Sequence, residues 1–170
     1  MLGFLFRTLT AERPSGAPLF AAASNEARRP EWYVEGEVPD TLDGRFAMLA
    51  TIVALVLVRL EQTGDAGNTA SVALTERFIE VMESEHRELG IGDPTLGKTV
   101  RKLVGSLARR TELWRLAVTG QRGWTAAVRD NLYKGKVSRH ALEYAASALN
   151  AFWARLEERG ARDLLEGKLQ

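Results

Sequence analysis

The chain has 170 residues, 45% apolar and 26% charged, with a net charge of +1, the balance of one ordinary globular domain. It contains no cysteine and two histidines, which excludes disulfides, thiolate metal sites, iron–sulfur clusters and a cysteine nucleophile and leaves little for zinc or a Ser-His-Asp triad. The apolar share is too high for a disordered chain, and the length buries a core without a covalent staple.

Residues 1–18 read as a flexible lead-in. Met1 to Phe6 is apolar, but it has no basic leader and is too short for an export signal; it can fray, pack on its own domain or dip into a membrane surface. Leu19 to Arg29 is Ala-rich and helical and stops at Pro30, and Glu31 to Val38 is an acidic connector carrying Trp32 and Tyr33. Asp40 or Thr41 then caps a helix that runs to about Gln62. Its Phe46–Val58 stretch is the most apolar in the chain; at 13 residues it spans about 20 Å as a helix, too short to cross a bilayer. It is therefore expected to be a buried central helix, and the cytoplasm is the expected location.

Gly64 to Asn68 reads as a turn. A helix is expected over Ser71–Leu89, with Leu74, Phe78, Val81, Met82 and Leu89 on one side. Gly90 ends it, and Asp93-Pro94 opens the next helix with a capping carboxylate. That helix gathers Leu96, Val100, Leu103, Val104, Leu107 and Trp114 into one stripe and ends near Gly120. Trp124–Tyr133 forms a shorter helix. Ser138 caps the last long one, whose apolar positions are Leu142, Ala145, Leu149, Phe152 and Leu156. Gly160 ends it, leaving 161–170 as a charged tail. Nothing alternates with period two, so the expected fold is all-α: one domain over residues 19–160, about six helices around a central apolar one.

Charge is segregated. Residues 31–97 carry a net −9 and residues 98–139 a net +9. On the helix after Pro94, Lys98, Arg101, Lys102 and Arg109 fall within about 100° of arc opposite the apolar stripe. Such a face can be a solvated exterior, pair with the acidic helices, or dock an acidic protein, lipid headgroups or RNA. Trp114, Trp124 and Tyr133 lie near it in sequence, a mix that also suits RNA or the ribosome, although no nucleic-acid motif is present.

Two motifs fall short of the chemistry they suggest. Glu83 and His86 have the spacing of one half of a carboxylate-bridged di-iron site, but the second Glu-x-x-His pair is missing because Val137 stands three before His140. Gly92 to Thr99 satisfies the letters of a Walker A motif, yet a helix precedes it, Pro94 removes a backbone donor and Asp93 puts negative charge where phosphate would sit. No catalytic set, cofactor, metal or small-molecule substrate is indicated.

Three further stretches carry a resemblance. Val38-Pro39-Asp40-Thr41 followed by Asp43-Gly44-Arg45-Phe46, then Arg87-Glu88-Leu89-Gly90-Ile91-Gly92-Asp93, and finally Lys98, Lys102, Ala126 and Asn131-Leu132-Tyr133 stand in the order and spacing of motifs of the ubiquinol–cytochrome c chaperone family, over about residues 19–157. The resemblance implies an all-α, non-enzymatic factor for assembling the respiratory cytochrome bc1 complex, one that binds newly made cytochrome b. It also implies contact with other bc1 subunits, a small partner protein and the ribosome; beside the cytoplasm, a peripheral place at the inner face of the membrane is the other expected location. Residues expected to meet a partner are Arg45 and Arg87, which capping does not need, with Lys98, Arg101, Lys102, Arg109 and Trp114.

Overall fold

A computed structural model describes residues 14–170. The described residues form eight helices and no strand: α1 (Ala17–Ala27), α2 (Pro30–Val34), α3 (Leu42–Glu61), α4 (Gly64–Glu88), α5 (Asp93–Val118), α6 (Trp124–Leu132), α7 (Arg139–Glu157) and α8 (Ala161–Leu165). The fold is all-α, as the periodicities predict. Met1 to Phe6 lies outside the described residues, and residues 17 and 18 of the expected lead-in already belong to α1.

The two helices beyond the expected six are five residues each. The connector before the first motif contains α2, which starts on Pro30 and is anchored by Trp32, whose indole N–H donates to the Glu26 carbonyl at 2.8 Å. The stretch 161–170 is not a loose tail. It contains α8, packs on α1 and α4, and buries Ala161, Leu164 and Leu169.

All residues from Ala50 to Val58 of α3 are buried, and this helix touches α1, α4, α5, α6 and α7. Its β-branched and aliphatic side chains face other helices on every side, which satisfies a segment with no polar face. Arg59, near its end, turns back to serve α7. Its guanidinium donates to the Leu156 carbonyl at 3.0 Å and to the Arg159 carbonyl at 2.9 Å, closing carbonyls that the end of a helix leaves open.

Gly64 to Asn68 is helical, contrary to the expected turn. The reversal between α3 and α4 is confined to Gln62 and Thr63. Gly67 is there because the two helices nearly touch: a Cβ on it would lie 1.9 Å from the Leu60 carbonyl oxygen. Gly67 serves close approach of two helices, not a turn. The cap of α5 is also shifted by one residue. Gly92 occupies the cap position, Asp93 is the first helical residue, and its charge complements the helix N-terminus from within the first turn. Gly160 caps the start of α8, not the end of α7.

Candidate functional site

The first motif builds one rim of a large groove. Val38 is buried. Thr41 caps α3, its Oγ1 accepting the Gly44 N–H at 3.1 Å. Gly44 presses on the Pro39 carbonyl, where a Cβ would sit at 1.9 Å. Asp40, freed from capping, accepts from Arg45 Nε at 2.6 Å. That hydrogen bond, with the opposite charge behind it, holds the Asp40 carboxyl below its ordinary value and raises Arg45 above its own. Phe46 turns inward against Phe78, with ring centroids 6.2 Å apart.

The groove lies between α1, α2, the start of α3 and the end of α4, and has a volume of about 950 Å³. Its apolar lining includes Phe20, Tyr33, Phe46, Leu49, Val81 and Met82. Three aliphatic residues stand at it almost undressed: Val34 is 70% exposed, Leu42 73% and Leu89 61%. Leaving each in water forgoes most of the about 1.5–3 kcal/mol that full burial would contribute. Charge edges the groove: Arg28, just past α1, and Arg45 of α3 with its partner Asp40 stand on one side, Glu85 and Glu88 of α4 on the other. Tyr33 is fixed by its hydroxyl, which donates to the Ala27 carbonyl at 2.9 Å; burial raises its pKa.

The second motif supplies the opposite rim. Glu88 and Leu89 face the groove, while Arg87, one residue before, is exposed and absent from its lining. Leu89 was expected in the buried stripe of its helix; it sits just past the end of α4, where it turns outward. The third motif is a clamp on the connector. Tyr133 donates to the Gly36 carbonyl, and Ser138 meets Glu37 through its N–H at 3.2 Å and its hydroxyl at 2.9 Å. Asn131 donates to the Ala127 carbonyl at 2.8 Å, and its own carbonyl accepts from Arg110.

The residues expected to meet a partner therefore part company. Arg45 lines the groove; Lys98, Arg101, Lys102 and Arg109 are exposed together on the outer face of α5, a different surface. Trp114 is 0% exposed and packs against Trp124 in a tilted arrangement, with centroids 5.5 Å apart. It belongs to the core and offers nothing to a partner, because its position on α5 falls in the stripe that packs on α3. The aliphatic residues of the groove were missed. Val34 lies just before the first motif and Leu42 between its two halves, both off every buried stripe, and that is the available signal.

The Walker-like residues 93–99 are helical, so no loop surrounds a phosphate there. His86 Nδ1 lies 2.7 Å from the Met82 carbonyl oxygen of its own helix, and among the described residues no three His, Asp or Glu side chains converge. Nor is any described helix long and apolar enough to cross a membrane.

The family model described as ubiquinol-cytochrome C chaperone matches residues 35–170. Among solved structures, the chain is similar to the Cbp3 homolog from Brucella abortus, with a TM-score of 0.79 and 26% identity over 98% of this chain and 94% of that one. No curated protein matches the chain.

Proposed function

Since the chain belongs to the ubiquinol-cytochrome C chaperone family, we propose that it is a cytochrome bc1 assembly chaperone that holds newly made cytochrome b, without catalysis, by seating an apolar helical segment of it in the groove between α1 and α4. The observation carrying this reading is the convergence of Val34, Leu42 and Leu89, three of the four large aliphatic side chains most exposed among the described residues, on one concavity of about 950 Å³.

A membrane-protein segment waiting for its haem and its partner subunits exposes aliphatic side chains that aggregate in water. A groove floored by Phe46, Leu49 and Met82 removes them from water, in the manner of an amphipathic helix laid in a hydrophobic groove. The edges make the grip reversible. Exposed ion pairs contribute little each and exchange with water, so Arg28, Arg45, Glu85 and Glu88 orient a client more than they bind it. Release then needs a better partner for the client's apolar face, not a nucleotide.

The test is co-purification. Tagged protein brings down cytochrome b, and Leu42→Asp with Leu89→Asp abolishes this while leaving the helical content and melting temperature near those of the parent. A doubly substituted protein that still recovers cytochrome b in full, or a deletion strain with normal bc1 levels, overturns the reading.

A further inference from the structure

We propose that the outer face of α5 is a second, electrostatic docking surface whose partner is an anionic lipid bilayer. It is separate from the groove and does not depend on what the groove holds.

Lys98, Arg101, Lys102 and Arg109 are all exposed. They lie on the side of α5 away from the buried Leu96, Val100, Leu107 and Trp114. From Lys98 to Arg109 the stripe runs for about 16 Å of helix. No acidic residue occurs between Pro94 and Thr111, and none of the four cations has a carboxylate partner within ion-pair distance among the described residues. Four such cations on one stripe set the face apart from single unpaired ones such as Arg28, Arg87, Arg129 and Lys136. Arg45, Arg77, Arg115, Arg139 and Lys168 all have carboxylate partners elsewhere on the surface.

Between the cations the helix surface is low. Gly105 and Ala108 are exposed, and open space surrounds Gly105. The long side chains can therefore reach one plane together. The adjoining Arg110 feels the same field: burial first, and the charge of Arg109 second, lower its pKa. A surface left this positive attracts a polyanion.

Shape and composition favour lipid headgroups over RNA. The aromatic residues that gave the segment its RNA-like composition are taken up by the fold: Trp114 is buried, and Trp124 and Tyr133 are half-buried against the core. No base-stacking platform stands beside the cations, and single-strand binders need one within a groove. The outer face of a packed helix is a ridge, and the major groove of A-form RNA is too narrow to admit it. A polybasic ridge against anionic headgroups needs neither feature.

The experiment is vesicle co-sedimentation of the full chain. The probes are phosphatidylcholine vesicles with and without phosphatidylglycerol, and a single-stranded RNA at the same ionic strength. The expected result is binding to the anionic vesicles only, lost at high salt. Replacing Lys98, Arg101, Lys102 and Arg109 by Gln is expected to weaken it about a thousandfold, with circular dichroism unchanged, whereas Lys98→Arg with Lys102→Arg retains it. Equal binding to both vesicle types, tighter binding to the RNA than to the anionic vesicles, or undiminished binding by the quadruple variant overturns the proposal. Leu42→Asp with Leu89→Asp leaves vesicle binding intact, so a failure of the groove reading is told apart from a failure of this one.

Discussion

Tyr133 and Gly36, 97 residues apart in the chain, are joined by one hydrogen bond from the phenol to the glycine carbonyl. Burial, and secondly the negative charge of Glu37, push the Tyr133 hydroxyl up to about 12. The bond requires the neutral phenol. A pKa raised in the folded state means that its contribution is fully present below the unfolded value of about 10 and fades as pH climbs toward 12. Tyr133→Phe is thus expected to cost about 1 kcal/mol at neutral pH. The gap between the parent and the variant should narrow between pH 10 and 12, as read from denaturant midpoints. A gap independent of pH would mean that the hydroxyl is not what holds the connector.

Gly44 is fixed by contact with the Pro39 carbonyl. Gly44→Ala forces backbone against a methyl group, for an expected loss of about 1–3 kcal/mol and a shifted entry into α3. The same substitution at exposed Gly105, where a Cβ meets open space, is expected to stabilise slightly, because alanine is the better helix former. Thermal melts of the two variants side by side check both directions.

Trp114 is a core residue on this account. Trp114→Ala is expected to cost about 3–5 kcal/mol. Its indole N–H has no hydrogen-bond partner in the structure, so Trp114→Phe, which retains most of the ring contact with Trp124, is expected to cost much less. Chemical denaturation distinguishes the two. An alanine variant of parental stability that fails only to bind a partner would return Trp114 to the surface.

Much of the fold is legible in the residues because it rests on local patterning. The apolar stripe of α7 is buried at Leu142, Ala145, Leu149, Phe152 and Leu156, and Ser138 caps it by accepting the Ala141 N–H at 3.0 Å. What the pattern does not show depends on contacts outside the helical repeat, between neighbouring elements or across the fold. Gly67 looks like a turn residue until Leu60 is placed against it. Asp40 and Thr41 both look like caps until Thr41 takes that role and Arg45 claims the Asp40 carboxylate. Leu164 and Leu169, set in a charged tail, show no periodicity long enough to reveal that both join the buried core. The groove is the hardest part to foresee, because Val34, Leu42 and Leu89 come from three segments and become a patch only when α2, α3 and α4 are assembled.

The most direct measurement is site-specific photo-crosslinking in cells that are assembling cytochrome bc1. A photoreactive residue at Leu42 or Leu89 is expected to capture cytochrome b, while one at Asn150, exposed on α7 and outside the groove, captures none. Capture from Asn150 but from neither groove position, or no cytochrome b from any of the three while the complex matures normally, would contradict the account.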